Sequence, residues 1–138
     1  MIAATLVSCC GQKLDSAAPA QRLYCSQWFN KAKAYAVSKR RPWFILSARY
    51  GLVAPDQLIE PYNRRLDELK PAQRIAWARV IAHELFPQLG QFARVELLAG
   101  VDYRKHLVGE LERRQVQVDV PMAGLGIGEQ LQWLGANL

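Results

Sequence analysis

The stretch on which the fold turns is Val95-Glu96-Leu97-Leu98-Ala99-Gly100, followed by Val101-Asp102-Tyr103-Arg104 and the run to Arg114, and then by Val116-Gln117-Val118-Asp119-Val120. An apolar run ends on a glycine, an amphipathic segment follows, and a second β-branched run closes it. The pattern predicts a strand over Val95–Ala99 and a helix from about Tyr103 to Arg114 with Leu107, Val108 and Leu111 facing inward. A further strand is predicted over Val116–Val120. This is a strand–helix–strand unit, the building block of a parallel sheet.

The same alternation extends outward in both directions. Ile2–Val7 is apolar throughout, as a strand covered on both faces would be. Ser26 is suited to cap a helix running to about Ser38, with Trp28, Phe29, Ala32, Tyr35 and Ala36 on one face. Lys39-Arg40-Arg41-Pro42 ends it, and Trp43–Leu46 reads as the second strand. Ser8 to about Arg22 reads as a polar loop, and Ser47–Arg65 as a long irregular segment. Pro71 suits the first turn of a helix whose inward stripe is Ile75, Ala78, Ile81, Ala82, Leu85 and Phe86. A glycine-rich turn and a short helix, Gly128–Leu134, close the chain. The expectation is a single α/β domain over residues 1–138. It is expected to be three-layer and Rossmann-like, with a mostly parallel sheet of about four strands and helices on both faces.

Composition bounds the function. The chain has 138 residues, 51% hydrophobic and 22% charged, the profile of a globular domain with a real core. No run approaches the length of a membrane span, and the first residues lack the pattern of a secretion signal. The expected address is the cytoplasm, with no membrane partner. Cys9, Cys10 and Cys25 cannot all pair, and two histidines without a Cys/His cluster leave a structural zinc site short of ligands. No metal and no cofactor are expected. The net charge is +6, carried by the first half: residues 1–65 hold ten bases and three acids, residues 66–138 eight bases and nine acids. Arginine outnumbers lysine 12 to 6, and its planar fork suits phosphate. A nucleic acid or nucleotide is the expected partner.

Ligands of parallel sheets bind at the carboxyl ends of the strands, which selects four loops. In Ser8–Lys13, Gly11 lets backbone approach an anion, Lys13 supplies a cation, and Cys10 is a possible nucleophile or a small buried thiol. In Ser47–Tyr62, Ser47 and Gly51 belong to the turn, while Arg49 suits a phosphate and Tyr50 and Tyr62 suit a base. Glu60, between Ile59 and Pro61, is either an acid–base group or an anchor for its own loop. In Gly100–Arg104, Gly100 and Arg104 are candidate ligand contacts, Asp102 is expected to cap the following helix or to serve catalysis, and Tyr103 and Arg104 open that helix, pointing toward the strand ends. In Pro121–Gln130, Gly126, Gly128 and Glu129 form a turn whose amides can face an anion. It matches a dinucleotide fingerprint only loosely.

The segment Leu46-Ser47-Ala48-Arg49-Tyr50-Gly51-Leu52-Val53-Ala54-Pro55-Asp56-Gln57-Leu58-Ile59-Glu60-Pro61-Tyr62 resembles a stretch of the YaaA-type peroxide stress proteins. The first loop, with Tyr24 and Ser26 ahead of a helix, and the ending Gly124-Leu125-Gly126-Ile127-Gly128-Glu129-Gln130 resemble a group of short bacterial and phage domains of unknown function. That group is distantly similar to uracil-DNA-glycosylase-like domains. The resemblance implies an α/β domain in a nucleic-acid or stress-protection context, with a pocket for a base at the strand ends. The resulting expectation is a nucleic-acid or nucleotide binding domain. The alternatives are an N-glycosidase acting on a nucleotide or modified base, with Glu60 or Asp102 as its carboxylate, and a thiol-based redox module built on Cys9 and Cys10.

Overall fold

The computed structural model describes residues 1–9 and 11–138. In chain order the first elements are β1 (Ile2–Ser8), β2 (Ala18–Pro19), α1 (Ala20–Leu23), α2 (Gln27–Ser38), β3 (Trp43–Ser47), β4 (Gly51–Val53) and β5 (Leu58–Ile59). A 3-10 turn at Leu66–Glu68, α3 (Pro71–Leu85) and a second such turn at Phe86–Gln88 follow. The chain ends with β6 (Arg94–Leu98), α4 (Val101–Glu112), β7 (Gln117–Asp119) and α5 (Ile127–Ala136).

The main sheet has five strands in the order β4-β3-β1-β6-β7. β1 runs parallel to both β3 and β6, and β6 runs parallel to β7. β4 returns antiparallel along β3, pairing Ile45 with Val53 and Ser47 with Gly51. The expectation of about four strands is therefore corrected to five, and the added strand comes from the segment read as irregular. β4 is only three residues long, too short for a period-two signal. The turn into it needs Gly51, whose φ of +74° falls in the left-handed region that side chains disfavour. A two-stranded antiparallel sheet, β2 with β5, ties the first loop to the same segment.

Neighbouring residues on a strand face opposite sides of a sheet, and the two core clusters follow that rule. Val7, Ile45 and Leu98 join Phe29, Ala32 and Ala36 of α2 and Leu134 of α5. Leu6, Leu46 and Leu97 join Ala78, Ile81 and Leu85 of α3 and Leu107 and Leu111 of α4. Uninterrupted apolar strands result because both faces are buried. Phe86 leaves the stripe: α3 stops at Leu85, and Phe86 opens the following turn with 48% of its surface exposed.

One buried polar cluster crosses the first of these faces. Glu96 accepts from Arg41 Nη2 at 2.7 Å, Tyr35 Oη at 2.7 Å and Thr5 Oγ1 at 3.3 Å. Arg41 Nε also donates to Thr5 Oγ1 at 3.0 Å. Part of the basic run Lys39-Arg40-Arg41 is thereby committed to internal structure. Burial, reinforced by the Glu96 hydrogen bond, pushes the Tyr35 phenol up from its ordinary 10.0, so the ring donates to Glu96 as a neutral phenol.

From β1 the chain crosses to β3, and from β6 it crosses the other way to β7. The loops leaving β1 and β6 therefore diverge at the carboxyl edge, which is where a crevice opens in sheets of this kind.

Candidate ligand-binding cleft

A cleft of about 560 Å³ lies at that divergence. Its β1 side is formed by Ser8, Cys9, Gly11 and Lys13, and its β6 side by Gly100, Val101, Asp102 and Tyr103. Trp28 of α2, with Ile127 and Gln130 of α5, forms a third wall, and Asn63, Arg64, Arg65, Leu66 and Asp67 form a fourth.

Gly11 explains how the first loop closes down on α2. Its φ is +75°, and a Cβ there would lie 2.9 Å from Ser26 Cβ. Ser26 caps α2 by accepting from the Phe29 N–H at 3.1 Å. The cap brings the next turn, including Trp28, to the cleft. Trp28 Nε1 donates to Gln130 Oε1 at 2.9 Å, and Gln130 Nε2 donates to the Leu125 carbonyl at 2.9 Å. The indole of α2 is thus held by α5, through a Gln130 side chain fixed in turn by the Leu125 carbonyl.

Below the cleft lies a hydroxyl–thiol network centred on Tyr62. Ser47 Oγ accepts the N–H groups of Arg49 (3.2 Å) and Tyr50 (3.0 Å) and donates to Tyr62 Oη at 2.8 Å. Tyr62 Oη also meets Tyr24 Oη at 2.7 Å and Cys9 Sγ at 3.2 Å. Cys9 Sγ lies 3.4 Å from Tyr103 Oη, which donates to the Cys9 carbonyl at 3.2 Å. One assignment uses every proton: Ser47 and Tyr24 donate to Tyr62, Tyr62 to the thiol, the thiol to Tyr103, and Tyr103 to the carbonyl. Burial, then the neighbouring Cys9, raises both Tyr24 and Tyr62 above the ordinary 10.0, so the network is made of neutral phenols. Lys13 Nζ sits over the Tyr62 ring, 4.7 Å from its centre, a cation–π contact.

Three of the four loops singled out from sequence line the cleft, through Gly11, Lys13, Gly100 and Asp102, with Ile127 and Gln130 from the last. The second loop contributes from beneath, through Ser47 and Tyr62, and Tyr24 joins them. Arg49 stacks on Tyr50, 5.2 Å from its ring centre, and Tyr50 meets Tyr62 edge-on at 5.6 Å. Arg49, Tyr50, Gly51 and Glu60 do not line the cleft. Glu60 is exposed, and its backbone carbonyl accepts from Tyr50 Oη at 3.3 Å. Arg104 is half-buried on α4, away from the lining, with its Nε lacking a hydrogen bond among the described residues. Gly126 and Gly128 flank the lining residue Ile127, and Glu129 Oε1 takes the Gly126 N–H at 3.1 Å. Cys10 lies outside the described residues.

Asp102 does not cap α4. The cap position is Gly100, which has no side chain to offer, and Asp102 sits one position into the first turn. The helix starts two residues earlier than its apolar pattern indicates because Val101 and Asp102 face the cleft. Trp28 and the Asn63–Asp67 wall were not singled out as ligand-facing. Trp28 carries a usable signal, an aromatic two residues after a helix cap. Arg64-Arg65 carries another, paired arginines one residue after Pro61-Tyr62.

Cations and acids both line the cleft. Arg65 Nε pairs with Asp67 (3.2 Å) and Glu68 (3.4 Å). Neither Lys13 nor Arg64 has a carboxylate partner among the described residues.

The fold and cleft define a mixed α/β protein with a five-stranded, mostly parallel sheet and a crevice at its strand ends. The chain belongs to a family of unknown function, DUF6884, whose model matches residues 4–136. No curated protein matches it in sequence. Among the described residues no helix is long and apolar enough to cross a membrane.

Proposed function

We propose that this protein binds a nucleotide, free or within a nucleic acid, in the cleft at the carboxyl edge of the sheet. A three-layer, Rossmann-like arrangement goes with this reading, α2 and α5 covering one face and α3 and α4 the other. The observation that carries it is convergence. Two cations without carboxylate partners among the described residues, Lys13 and Arg64, share one cleft with the aromatic side chains Trp28 and Tyr103. The first residues of α4 and α5, Val101 and Ile127, line it as well, and helix starts favour anions. Cations and helix starts suit a phosphate, and aromatic faces suit a heterocycle. The likeness of residues 46–62 to peroxide stress proteins supports a nucleic-acid context.

Native mass spectrometry of the full chain mixed with the common 5′-mononucleotides and short oligonucleotides tests this. A complex should form and be lost in Lys13→Ala and in Trp28→Ala. Complexes that persist in both variants would move the site elsewhere.

A second reading, cleavage of an N-glycosidic bond, is favoured by one observation: the carboxylates of Asp102 and Asp67 line the same cleft. Base released from nucleotides or modified DNA should disappear in Asp102→Asn. Release that survives this change rules out the assignment.

A further inference from the structure

We infer that the cleft takes a single nucleotide carrying a terminal phosphate, and not a run of strand. The inference rests on the nucleotide reading above and narrows its substrate class.

Size is the first argument. About 560 Å³ is the scale of a site for one small ligand, whereas strand-binding surfaces extend along several nucleotides. Charge is the second. Arg65 pairs with Asp67 and Glu68, which leaves Lys13 and Arg64 as the lining cations without a carboxylate partner among the described residues, in a cleft they share with Asp102. Two cations in a compact site match a phosphomonoester, which carries about −1.5 to −2 charges at pH 7. They do not make a track for regularly spaced phosphodiesters.

The third argument is where the remaining positive charge lies. Lys39, Arg40 and Arg41 follow the carboxyl end of α2, while Trp28 at its amino end borders the cleft. Eleven residue steps of helix, from Trp28 to Lys39, separate the two by about 16–17 Å. Arg41 is bound to Glu96, and Lys39 donates to the Asn137 carbonyl at 2.7 Å. Lys33, on the intervening helix, donates to the Gln21 carbonyl at 3.3 Å. The ammonium groups of Lys33 and Lys39 are thus turned onto the protein's own carbonyls and Arg41 onto Glu96, so of the cations between Trp28 and Arg41 Lys31 and Arg40 remain to extend positive surface along this helix. The fourth argument is the rim. Val101 and Ile127 stand 64% and 66% exposed at the cleft edge, so a continuing chain would set its next phosphate against apolar side chains and the Asp102 carboxylate.

Calorimetric titration of the full chain separates the possibilities. The probes are the four ribonucleoside 5′-monophosphates, their nucleosides, inorganic phosphate, and ten-nucleotide single strands without a terminal phosphate, each at low and moderate salt. At least one monophosphate should bind one-to-one, about tenfold or more tighter than its nucleoside, than inorganic phosphate and than any strand. Both Lys13→Ala and Arg64→Ala should weaken it. A strand that binds tighter than every monophosphate, with a salt slope near −0.7 for each of several phosphates neutralised, overturns this inference. If Lys13→Ala weakens that strand too, the nucleotide reading of the cleft survives. Inorganic phosphate binding as tightly as the monophosphates overturns the inference by leaving the heterocycle no role. Binding by none of the probes overturns both readings.

Discussion

Replacing Tyr62 with phenylalanine keeps the ring and removes one oxygen, and the consequence can be worked out from its neighbours. The Tyr62 hydroxyl contacts Ser47 Oγ at 2.8 Å, Tyr24 Oη at 2.7 Å and Cys9 Sγ at 3.2 Å. Ser47 and Tyr24 are 0% and 1% exposed, so water does not reach either partner. Ser47 already accepts two backbone N–H groups and loses the 2.8 Å acceptor of its own proton. Tyr24 is close enough to take that proton and to pass its own to Cys9, in place of the two bonds to Tyr62. Losing the shared hydroxyl while its buried partners re-pair less well costs about 1–3 kcal/mol. Tyr62→Phe should therefore destabilise the fold by about 1–3 kcal/mol, a fall in Tm of roughly 3–15 °C for a chain of this size. Tyr50→Phe is the control. It removes one long bond to an exposed segment and should cost less than about 0.5 kcal/mol. Urea denaturation followed by circular dichroism measures both. The alkaline limb gives a second readout. Because the folded pKa values of Tyr24 and Tyr62 lie above the ordinary 10.0, their stabilisation is complete below pH 10 and is lost as pH rises beyond it. Tyr62→Phe should make that loss shallower. A Tyr62→Phe protein within about 0.5 kcal/mol of the parent would refute the network as a structural element.

Four further outcomes follow from single observations. Gly11→Ala forces a side chain into a left-handed conformation and against Ser26, and should cost more than about 1–2 kcal/mol. Gly100→Ala, with open space around it, should leave the urea midpoint nearly unchanged. Arg41→Met leaves Glu96 buried without its cation. The loss should be about 2–4 kcal/mol, below the range for a fully buried pair because the Arg41 side chain is 22% exposed, and thermal denaturation at pH 7 reads it. Burial raises the Glu110 carboxyl, but hydrogen bonds from Arg114 and Arg79 outweigh burial and hold it below its ordinary 4.5. Its stabilisation is therefore present above pH 4.5 and is lost as pH falls through the lower folded value. A Tm–pH series between pH 6 and 3 should fall less steeply in Glu110→Gln than in the parent.

The alternation of strands and helices was legible because strands buried on both faces are uninterrupted apolar runs, as Leu6–Val7 and Leu97–Leu98 show. The gap between Ser47 and Arg65 was not. β4 and β5 are three and two residues long, and such pieces are held by their partners more than by any pattern of their own. The cleft was legible as a location, through Gly11, Lys13, Gly100 and Asp102, because the rule for parallel sheets selects strand ends. Its fourth wall was hidden. Asn63–Asp67 is brought there by the anchoring of Tyr62 below the floor and of Leu66, 2% exposed, in the interior, and neither anchor leaves a periodic trace. The basic first half misleads on its own. Its net charge says nothing of Arg41 lying on Glu96 or of Lys39 reaching Asn137, and only Lys13, Arg64 and Arg65 of those ten bases line the cleft.

The most direct measurement is a proton–nitrogen correlation spectrum of the four tryptophan indoles while a ribonucleoside 5′-monophosphate is added. The account predicts a saturable shift of the Trp28 Nε1–H signal, whose proton is held by Gln130 beside the cleft, with Trp43 and Trp133 unmoved. A titration that leaves Trp28 unmoved, or that moves Trp133 instead, contradicts it.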